Sequence, residues 1–292
     1  MIVDAHTHAW ARWPYPPAGP GDRAADGCGR YQDLIGELDA AGVDAAVLVS
    51  ANLDGSARGG GADNNDYAAE AVAAGRGRLF QFADVDSRWS PTYHRAGSAA
   101  RLADVVSRLA PAGVSHYLGP ENDGWLRSAE GRGFLAAADR RATPVSLAAP
   151  PAWFADVRLA AASVPSTPLL LNHLALVMLD AGGRAAALDL IRRGTGQPNL
   201  IVKVSGYYYG ADGPHDFPFA GRLELVRAFY ETWGPARMAW ASDYPACTPY
   251  ISYQQSLDVI REHAGFIDPA DLPLILGGTM TAILDRTWRP SS

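Results

Sequence analysis

The chain is expected to be an α/β protein closed into a (β/α)8 barrel, and three observations carry that expectation. Eight short β-rich apolar runs, beginning roughly 25–42 residues apart, alternate with amphipathic helical patterns from end to end. Runs such as "DAAVLVS" and "PLLLNH" are apolar without interruption, as strands covered on both faces of a parallel sheet must be. No Gly-rich phosphate turn follows the first run, which disfavours the rival doubly wound open sheet.

Taken in order, the first strand is read over Ile2–His6, and "YQDLIGELDAAG" then supplies the first amphipathic helix. A second strand at Asp44–Ser50 precedes the helical "NDYAAEAVAAG", and a third at Leu79–Asp86 precedes "AARLADVVSRLA". The fourth, Val114–Gly119, leads into "GRGFLAAADRRA", and the fifth covers Pro144–Ala148. Pro168–His173 is the sixth, followed by "RAAALDLIRRG"; Leu200–Gly206 is the seventh, followed by "GRLELVRAFYETWG". Met238–Asp243 is the eighth, and Pro245 stops it. Gly and Pro collect after strand ends, in "ARWPYPPAGPGDRAADGCG", "ANLDGSARGGGADNN" and "YYYGADGPHDFPF". In a barrel these insertions share the C-terminal rim, where active sites form. The first and third are rich in aromatics suited to a flat or partly apolar ligand. Residues 1–292 thus read as one barrel domain with long rim loops.

At 48% hydrophobic content, 292 residues can bury a large core. The net charge of −6 and the scattered arginines argue against a nucleic-acid partner. Cys28 and Cys247 form no disulfide framework and no cysteine zinc pattern, which fits a reducing compartment. No basic-then-apolar leader and no membrane-length apolar run is visible, so a cytoplasmic protein is expected.

Chemistry concentrates at three strand ends. Side chains alternate along a strand, so Asp4, His6 and His8 are expected on one face and Val3, Ala5 and Thr7 on the helix-facing side. Two imidazoles on one face can bind a divalent ion or move protons, although His-x-His alone occurs in many proteins without function. "LLLNHLAL" places His173 at the end of the sixth run, and "MAWASDYP" places Asp243 at the end of the eighth. A bland role exists for each, as a hydrogen-bonded core histidine and a turn cap. Strands one and eight adjoin only in a closed sheet, so fold and site support each other.

In that order, "VDAHTHAW", "LLLNHLAL", "IVKVSG" and "ASDYP" resemble the amidohydrolase superfamily along essentially the whole chain. The closer likeness is to its amidohydrolase 2 branch, nearest to sugar-acid lactonases and 2-pyrone-4,6-dicarboxylate lactonase. The resemblance implies active-site places for His6, His8, His173 and Asp243, with Trp10 completing the first-strand motif. It also implies one divalent metal, zinc first, held by those four residues, with a metal-free site as the alternative. Two-metal relatives carry a carboxylated lysine or a glutamate on the fourth strand and a histidine on the fifth. Here "VSHYLGP" has only Glu121 just beyond it and "VSLAAP" has no histidine, so a dinuclear centre is not expected. Thr279 stands in "GGTMTA" where relatives usually carry asparagine.

Further substrate contacts are assigned to Trp10, Arg12, His116, Lys203, Tyr207, Tyr208 and Tyr244. His116 either faces the mouth or is an interior hydrogen-bonded histidine. Lys203, mid-strand, needs a partner, either a core carboxylate such as Asp4 or Asp84 or an anionic substrate. Tyr207 and Tyr208 follow on the rim, and Arg12 could clamp a carboxylate or lie solvated in its loop. The glycines of "RGGGADNN" lack phosphate-cradle spacing, and His94, His215 and His263 are expected at the surface.

The reaction expected is hydrolysis of a lactone or similar cyclic ester. Asp243 would activate water, and His6, His8 and His173 would stabilise the carbonyl with or without a metal. Metal-dependent nonoxidative decarboxylation of an aromatic or enoic acid is the alternative, and a non-catalytic ligand-binding barrel is a third. The partner is a small molecule, carboxylated or cyclic; self-association into a homo-oligomer is compatible with the sequence.

Overall fold

The computed structural model describes residues 1–11, 14, 29–53, 64–179 and 183–287. Its strands are β1 (Val3–Thr7), β2 (Ala45–Val49), β3 (Leu79–Asp84), β4 (Gly113–Tyr117), β5 (Val145–Ala148), β6 (Leu169–Leu171), β7 (Leu200–Val204) and β8 (Met238–Trp240). Each lies inside or within a residue of its predicted span. All pair in parallel and in chain order. The cylinder closes through a parallel bridge between Thr7 and Tyr244 and two main-chain bonds. Asp243 N–H donates to the His6 carbonyl at 2.9 Å, and His8 N–H donates to the Tyr244 carbonyl at 2.7 Å.

Helices α1 (Tyr31–Ala41), α2 (Asn64–Ala74), α3 (Ser98–Leu109), α4 (Ala129–Asp139), α5 (Phe154–Ser163), α6 (Arg184–Arg193), α7 (Ala220–Trp233) and α8 (Tyr253–Arg261) follow the strands. Alternate strand residues such as Ala46, Leu48, Leu147, Val202 and Trp240 join Leu34, Leu38, Phe134 and Phe229 of these helices in the larger apolar cluster. The other strand face supplies a smaller interior cluster, including Val47, Phe82, Leu170, Ile201 and Ala239. Met280 and Ile283 of α9 (Thr279–Leu284) belong to it and plug the barrel away from the C-terminal rim. Thr279 opens that helix, is buried, and lines neither of the rim cavities. Among the described residues, no helix is long and apolar enough to cross a membrane.

The expected alternation along β1 is corrected. Val3 and Ala5 belong to the interior cluster, whereas Asp4 accepts the Tyr253 hydroxyl of α8 at 2.9 Å and the Ser242 amide at 3.0 Å. The register shifts between Asp4 and Thr7, and this bulge turns His6 back into the interior. A strict two-residue period cannot foresee such a slip.

Candidate active site at the C-terminal rim

Three strand ends deliver four side chains to one point. His6 Nε2 and His8 Nε2 lie 3.1 Å apart. Asp243 Oδ1 is 3.7 Å from the first and 3.5 Å from the second, while its Oδ2 is 3.7 Å from His173 Nδ1. His173 and Asp243 take left-handed backbone conformations, with φ of 52° and 61°. Such conformations cost a non-glycine residue on the order of 1 kcal/mol and recur at functional sites. His8, His173 and Asp243 border a cavity of about 280 Å³, lined also by Arg88, Trp89, Tyr117 and Tyr209, and His6 lies fully buried behind them.

Hydrogen bonds orient each imidazole. The Val49 carbonyl can only accept, so His8 Nδ1 donates to it at 2.7 Å and its Nε2 faces the site as an acceptor when neutral. Lys203 Nζ lies 3.2 Å from His6 Nδ1 and 2.8 Å from Ser146 Oγ. An ammonium there fixes the proton on His6 Nε2, which then points at His8. Ser205 Oγ holds His173 Nδ1 at 2.9 Å. Tyr208 donates to Asp243 Oδ2 at 2.6 Å, and the Tyr209 hydroxyl stands 3.4 Å from the same oxygen.

This strand-end quartet coincides with a family-wide match: residues 3–286 fit the profile described as Amidohydro_2, amidohydrolase. The chain belongs to the amidohydrolase family. No curated protein matches it. An amidohydrolase from Burkholderia multivorans with bound zinc has a TM-score of 0.79 at 21% identity, covering 98% of this chain and 99% of that one. A probable 2-pyrone-4,6-dicarboxylic acid hydrolase from Acinetobacter baumannii, with citric acid bound, gives 0.73 at 20% identity, covering 97% and 99%. The 2,6-dihydroxybenzoate decarboxylase from Rhizobium gives 0.64 at 16% identity, covering 98% and 99%. Likeness at these identities is one of fold.

Burial sets the ionisation states in this amidohydrolase. His6 is held well below its ordinary pKa, first by desolvation and then by Lys203, His173 and His8. His173 is lowered to about 4, chiefly by desolvation and partly offset by Asp243. Desolvation brings Lys203 down to about 7 against the pull of Asp4 and Asp243. Desolvation alone would raise Asp243, yet His173, His8 and Tyr208 leave it below its ordinary value. His173 carries a proton only at low pH, so near neutrality we assign the carboxylate's ionisation chiefly to the hydrogen bond from Tyr208.

The other sequence candidates separate. Tyr208 is in the site. Lys203 is beneath it and makes no ion pair with Asp4 or Asp84; Asp84 instead accepts from Ser87, Trp89 and the Asn52 amide. Trp10 is buried and backs His8, with ring centroids 4.9 Å apart. Tyr207 donates to the Val204 carbonyl at 2.8 Å, and Tyr244 packs edge-on against Tyr253; neither lines the cavity. His116 is corrected as a substrate contact. Its Nδ1 meets the Val85 carbonyl at 2.9 Å, and its ring packs on Trp125 and Phe134 beside the helices. His94, expected at the surface, stacks on Trp125, and its Nδ1 hydrogen-bonds Asp123 Oδ2 at 2.6 Å. Arg12, Cys28 and the glycines at 59–61 lie outside the described residues.

Arg88, Trp89, Tyr117, Tyr209, Ser146 and Ser205 were not anticipated. The strand-end rule applied to "DVDSRWS" would have flagged Arg88 and Trp89, since they follow β3 on the same rim. Nothing in the sequence distinguishes Tyr209 from its two tyrosine neighbours.

Proposed function

We propose that this amidohydrolase opens a lactone or related cyclic ester by attack of water, with Asp243 as the general base. The observation that carries the proposal is the convergence of His6, His8 and His173 on one ionised, buried carboxylate at the cavity wall. Asp243 Oδ1 faces the cavity quartet while Tyr208 occupies Oδ2, leaving one oxygen to take the proton of a water. On substrate binding, His6 Nε2–H, oriented by Lys203, would exchange its bond to His8 Nε2 for one to the oxyanion that develops on the ring carbonyl. His173, neutral at rest and 3.7 Å from Asp243 Oδ2, can relay to the departing ring oxygen the proton that Asp243 takes from water, so that both groups end the step as they began it. Arg88 and the aromatic wall of Trp89, Tyr117 and Tyr209 suit a flat substrate bearing an anionic group. The citric acid of the Acinetobacter relative and the HEPES bound by a Burkholderia multivorans amidohydrolase are small ligands that carry an acid group, as that substrate would.

With Lys203 uncharged, so that the His6 proton sits on Nδ1 and Nε2 is free, the donor set also fits a divalent cation. A tetrahedral ion with ligands at about 2.0–2.1 Å requires donor separations of about 3.3–3.4 Å. The triangle of His6 Nε2, His8 Nε2 and Asp243 Oδ1 has edges of 3.1, 3.7 and 3.5 Å. His173 adds a donor that lies within 4.8 Å of those of His6 and Asp243. Zinc is the first candidate, and when bound it would supply Lewis-acid polarisation of the carbonyl. Calorimetric titration should find one zinc per chain, lost in His8→Ala; absence of binding would leave the hydrogen-bond donors alone in that role.

Product analysis tests the reaction. A panel of sugar-acid lactones and 2-pyrone-4,6-dicarboxylate should yield a ring-opened acid, read as proton release. Carbon dioxide release from an aromatic acid, with no lactone turned over, would replace this proposal by decarboxylation.

A further inference from the structure

Tyr209 lines a second cavity besides the active one. This space of about 340 Å³ is walled by Met178, Tyr207, Tyr209, Asp216, Phe219 and Arg222. Arg222 is 6% exposed, and its Nη1 donates to the Val177 carbonyl at 2.6 Å. Its Nε and Nη2 are buried with no hydrogen-bond partner, and no described carboxylate pairs with it. Burial lowers its pKa only to about 10, so the guanidinium is charged at neutral pH. Protein interiors rarely leave such a cation without a counter-charge, because each unmet N–H loses its water and gains nothing.

The start of α7 opens on the same cavity through Ala220 and Gly221. This helix is 14 residues long, and its N-cap, Phe219, offers no side-chain cap. Its first-turn N–H groups and dipole favour an anion there. Asp216 also borders the space, but its Oδ2 accepts the Asp212 amide at 2.6 Å and its Oδ1 faces His215 at 3.6 Å. We infer that this cavity binds a small oxyanion, a carboxylate or a phosphate, through Nε and Nη2 of Arg222 and the first turn of α7.

Two links join that place to the active site. Tyr209 separates the cavities and stands 3.4 Å from Asp243 Oδ2. Arg222 holds Val177 at the end of a left-handed run, His173 to Leu176, whose φ values are 52–56°. Filling the cavity would brace the turn that presents His173. The inference does not depend on lactone hydrolysis.

Binding is tested by calorimetry with sodium acetate and with inorganic phosphate, ionic strength being balanced with chloride. Saturable one-site binding is expected, with acetate preferred if the natural ligand is an organic acid and phosphate if it is a phosphate. Arg222→Met should weaken it by about tenfold or more and melt no lower than wild type in chloride alone, whereas His8→Ala should bind the anion as wild type does. No saturable binding, or binding lost in His8→Ala and kept in Arg222→Met, overturns the inference. If Arg222→Met does not fold, bromide-soaked wild-type crystals decide: an anomalous peak beside the guanidinium supports the site, and its absence refutes it.

Discussion

Replacing Asp243 by Asn isolates the chemistry from the fold. Asn has the same shape and is among the few residues that tolerate a φ of 61°. The barrel-closing bond from position 243 to the His6 carbonyl is made by the main chain and survives. Tyr208 can still donate to the amide oxygen, so the melting temperature should move by only a few degrees. What vanishes is, among the described residues, the only carboxylate within reach of the three imidazoles. Loss of a positioned general base typically slows turnover by about 10²–10⁴, or roughly 3–5 kcal/mol at the barrier. The assay is proton release during ring opening of whichever lactone the wild type accepts, beside a thermal melt of both proteins. Turnover of Asp243→Asn within about threefold of wild type would refute the assignment of the base. Asp243→Ala should be less stable still, because alanine pays the left-handed conformation without a compensating side-chain bond.

Three other perturbations separate the supporting roles. Tyr208→Phe removes the 2.6 Å donor to Asp243 Oδ2. The carboxylate's pKa should rise and the acid limb of kcat/KM move to higher pH, and an unmoved limb would show that the bond does not hold the charge. His116 is lowered by burial to about 4, against about 6.5 when unfolded. Between those values the native state binds fewer protons, so stability rises with pH there and is lost on acidification, by about 3 kcal/mol at most. His116→Gln should flatten that slope in urea melts at pH near 4.5 and near 6.5; a full wild-type slope would count against it. Gly206 has φ of 68°, and a Cβ there would lie 2.9 Å from the Cβ of His173. Gly206→Ala should cut kcat/KM by about tenfold and cost about 1 kcal/mol or more; a variant with wild-type melting and activity would show that His173 has room to move.

The eight strands were legible because each is a short apolar run between turn residues, and buried parallel strands must look that way. The quartet was legible because barrels collect function at strand ends, and three ends carried His or Asp. What escaped depends on features with no periodic signature. The bulge in β1 sends Asp4 to Tyr253 and returns His6 to the interior, so the expected convergence of His6 and His8 came from an incorrect alternation. His116 shares a strand with residues of both faces, and nothing local says that it meets Trp125 rather than the barrel mouth. Lys203 was recognised as needing a partner, but the partner proved to be an imidazole and a serine brought in from two other strands.

Closure and site are one arrangement rather than two. Sequence-distant β1 and β8 meet through main-chain bonds of His6, His8, Asp243 and Tyr244, and three of those four residues belong to the candidate site. The same contact that removes the sheet's free edge therefore sets the separation of the imidazoles from the carboxylate. His173 and Asp243 both sit in a left-handed conformation, which ordinary strand continuation does not require. Residues held this way persist only when the surroundings over-determine them. Here Ser205 holds His173, while Tyr208 and the His6 carbonyl hold Asp243. A substitution that relaxed either backbone would keep the barrel and move a reacting group, so activity is the more sensitive readout of this rim and stability the less sensitive one.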